Sequence, residues 1–232
     1  FFSKEGFANV FNRENIAKAI FIAFAAFSIL AVFAIVFFIL YQSIPVFQEI
    51  GFFKFVFSSV WKPSADEYGV LPMIVTSIVL TVLSVVIGGV LAVFTAVFMV
   101  YYCPTWLKKI YSQVINLLAG IPSIVFGYFG LKLLKPLLQD MFVVRSAYGL
   151  LLSTIVLSIM ILPTIASIAK NSLESVPMQY YEGSLALGNT KNQTVFKVML
   201  PAARNGIVAG MILGIGRAVG ETMAVQFLLG GS

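Results

Sequence analysis

Four stretches of this chain, residues 19–47, 69–106, 110–131 and 146–169, contain no Asp, Glu, Lys or Arg, and a fifth, 206–230, contains Arg217 and Glu221 alone. A hydrocarbon core of about 30 Å is crossed by about 20 helical residues. Inside it every backbone polar group must find its partner within the protein, which leaves helices and closed barrels as the only solutions. Barrel strands would be short and alternating, and these runs are long and continuous. The chain is therefore predicted to be all-α, a polytopic transmembrane helical domain with five spans. Composition agrees: 60% of the 232 residues are hydrophobic and 10% charged, and a mean hydropathy of +1.00 lies far outside the soluble range.

Lys and Arg in short loops favour the cytoplasmic side. With the N-terminus inside, the inner segments hold Lys4, Arg13, Lys18, Lys108, Lys109, Lys170, Lys191, Lys197 and Arg204, against Lys54, Lys62, Lys132, Lys135 and Arg145 outside. The expected organisation is a cytoplasmic or interfacial segment over 1–18, then a permeating domain over 19–232 in the cell membrane. The first segment is read either as an amphipathic helix lying along the lipid surface or as a disordered tail. Basic loops on a cytoplasmic face account for the net charge of +6, so no nucleic-acid partner is needed; the lipid surface is partner enough. The first apolar run is too long for the core of a signal peptide and is kept as a span. Cys103 is the one cysteine and histidine is absent, which removes disulfide frameworks, thiolate and zinc sites and His-based hydrolysis.

The longest polar stretch, 170–205, reads KNSLESVPMQYYEGSLALGNTKNQTVFKVMLPAARN. Asn171 or Ser172 is expected to cap a short helix that stops before Pro177, and Pro177 to open the next, since a missing N–H costs nothing in a first turn. Gly188 breaks that piece. Thr190 is placed to cap a third, carrying Val195, Phe196, Val198 and Met199 and ended by Pro201. A helix, a glycine break and a helix form a compact knob, which on the residues alone is equally a loop packed onto its own membrane domain.

Glu182, then Gly188 six residues on, Val198 ten further and Leu200-Pro201 resemble the coupling motif of ABC-importer permeases. That pattern begins Glu-Ala-Ala, where this chain has Gly183 and Ser184, and its isoleucine is replaced by Val198. Gly183 lowers local helix propensity by up to about 1 kcal/mol. The blocks LLAGIPSIVFGYFGL (117–131), IMILPTIASIAKNSLESVP (159–177) and GIGRAVGETMAV (214–225), with EYGVLP (67–72), are similar to those of phosphate-importer permeases, the PstC/PstA pair, with GETMAV of the PstC type. The match covers most of 61–225.

The resemblance implies a type I ABC importer permease fold in a bacterial or archaeal inner membrane. It implies as partners a homologous permease of the PstA type, two ATPase subunits of the PstB type and an extracytoplasmic phosphate-binding protein of the PstS type. Glu182, Gly183, Ser184, Gly188, Leu200 and Pro201 then belong to the element that docks on the ATPase. The family continues to a sixth span, expected beyond residue 232. The chain lacks a Gly-x-x-x-x-Gly-Lys-Ser/Thr loop, so it is not expected to be an enzyme or to bind a cofactor; ATP and Mg would sit on the partner ATPase.

Arg217 and Glu221 stand four apart, on one face of a helix. As an internal ion pair they would hide two charges from lipid, yet Arg before Glu is the weaker order, and ionisable groups inside a membrane usually mark a transport path. A guanidinium forms two parallel charge-assisted bonds to an oxyanion. Phosphate near neutral pH keeps a P–OH that a carboxylate can accept, which sulfate lacks. The expectation is that Arg217 attracts the anion while Glu221 holds Arg217 and selects for a protonated oxyanion. Thr222 adds a hydroxyl to the path or back-bonds to its own helix. Gly120, Pro122 and Ser123 break the third span, either lining a cavity or kinking it, and Pro163 carries the same ambiguity in the fourth. Two other readings stay open: a permease for another oxyanion such as sulfate or molybdate, and a receptor or channel subunit that transports nothing.

Overall fold

A computed structural model describes residues 4–65, 67–142 and 149–229, in two compact units, 1–72 and 73–232. In the first, α1 (Lys4–Ile50) is one helix that runs unbroken through the boundary between residues 18 and 19. Its stretch 14–50 is long and apolar enough to cross a membrane. Phe21, Phe24, Phe33 and Phe37 are all exposed, as in a helix apolar on every side that meets lipid or protein partners. Gly51, at φ 84, ends it. There α2 (Phe52–Phe57) turns back, so that Phe47 meets Phe52 and Phe55 edge-on at 5.4 and 5.7 Å. Beyond it β1 (Trp61–Lys62) and β2 (Glu67–Tyr68) form a two-residue antiparallel ladder. Apart from that ladder, the described elements are helical.

The second unit begins within α3 (Leu71–Val97), at Met73, and a π-helical turn over Phe98–Tyr102 prolongs that helix. The third expected span is broken in its middle. Between α4 (Thr105–Gly120) and α5 (Ser123–Phe129) the axis turns by 98°. The cause is local: Pro122 offers no N–H and forces the residue before it out of the helical region, and Ile121 and Pro122 are both extended, with ψ 129 and 141. A π turn over Gly130–Leu134 leads from α5 into α6 (Lys135–Phe142).

Next, α7 (Leu150–Glu174) runs straight through Pro163 and past residue 169. Asn171 and Ser172 therefore lie in its last turns and do not cap a separate short helix. No breaker intervenes before Pro177, and Glu174 is held at 3.0 Å by Lys108 and 3.8 Å by Lys170. After Pro177 comes α8 (Met178–Ala186), and after the Gly188 turn α9 (Lys191–Thr194), continued by a π turn over Val195–Met199 into α10 (Leu200–Ala202). Pro201 does not end this run, because it occupies the opening turn of α10, where its missing N–H is tolerated. The break falls at Ala203, where the chain bends by 68° into α11 (Arg204–Gly220). Last is α12 (Met223–Leu229). Among the described residues, three helices are long and apolar enough to span a membrane, or five if each bent pair counts as one. The expected span edges at Ser146 and Gly230, together with Arg145, lie outside the described residues.

Packing in this unit centres on α7, whose Leu152, Val156, Leu157, Met160, Ile161, Ile165, Ala166 and Ala169 are buried. Lipid tails are as apolar as leucine, so helices associate in a membrane through close van der Waals fit and shared polar groups, for which small residues are suited. Both devices are present. On α3, Gly88 abuts the backbone of Ser158, and two hydroxyls bridge the seam: Ser84 Oγ donates to the Thr154 carbonyl at 3.3 Å, and Ser158 Oγ shares its proton between the Thr154 carbonyl at 2.7 Å and the Ser84 carbonyl at 3.2 Å. On the other side α11 lies antiparallel against α7 through a glycine every fourth residue. A Cβ added at Gly206, Gly210 or Gly214 would run into Ser172, Ile168 and Ile165 in turn, and the buried Ala218 continues the row.

Candidate functional site

Where that row ends, the helix does too. Gly220 is the last residue of α11, and Glu221 is extended at φ −82, ψ 98. Arg217 and Glu221 therefore do not form the expected i to i+4 pair, since Glu221 no longer lies on the helix. Its carboxylate instead accepts from the Ala224 N–H at 3.2 Å, capping the first turn of α12, where an anion meets unsatisfied amides and the favourable end of the dipole. Thr222 occupies the break itself: its carbonyl accepts from the Gln226 N–H at 3.0 Å, and its exposed side chain makes no back-bond to its own helix among the described residues.

Arg217 points across the seam to α7, and its Nη1 donates to Thr164 Oγ1 at 2.7 Å. No carboxylate lies within ion-pair reach among the described residues. A guanidinium has five N–H donors and cannot be neutralised by losing a proton. One donor is used here, in a half-buried position at the end of an apolar helix. Thr164 was not singled out by sequence; its signal is a hydroxyl beside Pro163 in a run otherwise apolar from Met160 to Ala166.

The two helix breaks adjoin. The segment following Pro122 is α5 and the segment following Glu221 is α12, and these pack on each other closely enough that a Cβ on Gly127 would contact Ala224. Gly130 in turn meets Val156 and Leu228. Irregular backbone at membrane depth is tolerated only within protein or beside water, and opposed broken helices are a common way to build an ion path. A Cβ added at Gly120 would meet open space, so the lack of a side chain there is not required by close packing. Pro163, by contrast, is buried in an unbroken helix.

The second cluster is the loop between α7 and α11. Thr190 caps α9 in a full capping box: its hydroxyl accepts from the Gln193 N–H at 3.3 Å, while the Gln193 side chain accepts from the Thr190 N–H at 2.8 Å. Gly188, at φ 85, makes the turn, its N–H donating to the Leu185 carbonyl at 2.9 Å. Ser184 is buried and joins both arms, its Oγ 2.9 Å from Thr194 Oγ1 and accepting from Asn189 Nδ2 at 3.1 Å. Two tyrosines closing α3 clasp the knob from its sides. Tyr101 stacks flat on Tyr181 at 5.9 Å, while Tyr102 donates to Asn192 Oδ1 at 2.6 Å and lies under Lys191 at 4.8 Å. Glu182 and Gly183 are exposed, as are Leu185, Pro201 and above all Leu187 at 86%, whereas Leu200 packs against the core. The tyrosine clasp and the Asn189 and Thr194 contacts were not read from sequence.

Residues 84–232 match the family model described as binding-protein-dependent transport system inner membrane component. The chain is 44% identical over 179 residues to the probable ABC transporter permease protein YqgH of Bacillus subtilis, covering 76% of this chain and 58% of that protein. It is 35% identical over 198 residues to the phosphate transport system permease protein PstC of Xylella fastidiosa, covering 77% of this chain and 61% of that one. The chain thus spans about six tenths of the length of these relatives. Among solved structures it is similar to the MetNI methionine ABC transporter in an inward-facing conformation, with a TM-score of 0.56 and 23% identity, over 69% of this chain and 74% of that chain. That likeness concerns the fold.

Proposed function

From the premise that this chain belongs to the binding-protein-dependent transport system inner membrane components, we propose that it is the permease subunit of an ATP-driven phosphate importer. It shares the translocation path with a homologous permease of the PstA type, receives phosphate from an extracytoplasmic binding protein of the PstS type and is driven by two ATPase subunits of the PstB type. ATP and magnesium belong to those ATPases, and the chain itself catalyses no reaction. Its N-terminus faces the cytoplasm.

One observation carries the substrate reading: a guanidinium with unspent donors at the end of an apolar helix, in a chain similar to phosphate permeases. A fixed positive charge favours entry of an oxyanion, and planar N–H pairs suit its oxygens. Glu221 is proposed to act apart from Arg217: one carboxylate oxygen caps α12, and the other can accept the P–OH that phosphate keeps and sulfate lacks. The α8–α9 knob, rigid and exposed at Glu182, Leu185 and Leu187, is proposed to carry nucleotide-driven movement from the ATPase as a lever.

The test is ATP-driven uptake of labelled phosphate into vesicles holding the assembled complex, with sulfate in excess as competitor. The proposal expects uptake that sulfate does not suppress. Equal suppression by sulfate would make this a general oxyanion permease, and uptake of neither would remove phosphate as substrate.

A further inference from the structure

We propose that Thr164 is the positioning residue for Arg217 and the second donor of the anion path, an inference that rests on the function proposed above. Some hydroxyls on the helices of this protein bond to the carbonyl four residues earlier, as Ser77 to Met73, Thr95 to Leu91 and Thr154 to Leu150, while others reach a different segment, as Ser84 to the Thr154 carbonyl and Ser172 to the Ala203 carbonyl. The back-bond is the ordinary use of a hydroxyl in a helix with no other partner. Thr164 belongs to the second group, and its partner is a charged side chain. It makes no bond to the Met160 carbonyl, and its oxygen accepts from Arg217 at 2.7 Å.

Two consequences follow from that one bond. The hydroxyl proton has no acceptor among the described residues, and the guanidinium keeps the rest of its N–H groups. The pair therefore presents an O–H beside an N–H edge, which is a complement to a tetrahedral oxyanion with several acceptor oxygens. The geometry is also held from outside. Close contacts from Gly206 to Ser172, Gly210 to Ile168 and Gly214 to Ile165 fix the register of α11 on α7, and the next step along the same seam sets Arg217 against Thr164. A β-branched side chain adds stiffness, having few rotamers available in a helix.

The experiment measures labelled phosphate uptake against phosphate concentration in the assembled complex, comparing Thr164→Val, Thr164→Ser and Arg217→Ala. Thr164→Val, isosteric but without a hydroxyl, is expected to raise KM roughly tenfold, the scale of a hydrogen bond to a charged group, with a much smaller change in maximal rate. Thr164→Ser is expected to restore a KM near that of the unaltered protein. If Thr164→Val does not assemble, as judged by size-exclusion chromatography, Thr164→Ala carries the same expectation. An unchanged KM in the hydroxyl-free variant, with uptake abolished by Arg217→Ala, overturns the inference and leaves the proposed function standing. Equal losses in the Val and Ser variants overturn it as well, since packing and not the hydroxyl would then be responsible. Unchanged uptake in Arg217→Ala removes the proposed anion path itself.

Discussion

The break at Gly220 and the knob between α7 and α11 are both polar interruptions of an apolar chain, and they treat their polar groups in opposite ways. In the knob, Ser184, Thr194, Asn189, Thr190 and Gln193 spend their side chains on one another or on nearby backbone, and Tyr102 and Lys191 are tied to it from outside. At the break, Arg217 uses one donor, Thr164 keeps its proton and Thr222 makes no side-chain bond. Side chains paired in this way hold the knob together, while the hydroxyl of Tyr101 beside it is buried with no hydrogen-bond partner among the described residues. A charged group left partly unsatisfied near a membrane core is costly, and it is retained where something else must bind. Under the proposed function, the knob is the part that transmits movement and the break is the part that meets the substrate.

Substitutions that break one region and spare the other sharpen this contrast. The largest effect is expected from Gly214→Leu, since even a Cβ there meets Ile165. Overpacking of this kind costs about 1–3 kcal/mol, and it acts on the seam that aims Arg217. Phosphate uptake should fall to background, and the thermal midpoint of the purified complex should drop, while protease resistance of the knob is kept.

A smaller loss is expected from Gly188→Val, which forces a β-branched residue into the left-handed region at φ 85. The strain is about 1–2 kcal/mol, enough to depopulate the turn roughly tenfold. Transport kinetics should show a lower maximal rate with KM for phosphate unchanged; a change confined to KM would break the division proposed here. Smallest is Thr190→Ala. Loss of a cap costs about 1 kcal/mol, so amide exchange in α9 should quicken roughly fivefold with uptake reduced less than twofold.

Much of this was legible in the sequence because membrane solvent imposes simple rules. Uncharged runs gave the helices, Pro122 its break, and Thr190 and Gly188 the cap and turn of the knob. What sequence misplaced were consequences of tertiary contact. Asn171 and Ser172 look like caps, but Lys108 reaches across to hold Glu174 and the helix continues. Pro201 looks like a terminator, but the preceding π turn delivers it into a position that tolerates it. Spacing alone makes Arg217 and Glu221 partners, whereas the helix stops one residue before Glu221 and each side chain turns elsewhere. Thr164 lies 53 residues from Arg217 in the chain, and only the glycine seam reveals that they meet.

The central claim is that the unspent donors of Arg217 bind the transported anion. Its most direct test is the rate of ATP-driven phosphate uptake by vesicles holding the complex with Arg217→Ala, normalised to assembled protein. The account predicts uptake at the background of vesicles without ATP, in a complex that elutes at the unaltered size. Uptake equal to that of the unaltered complex would contradict it, and would make the arginine a structural tether between α7 and α11.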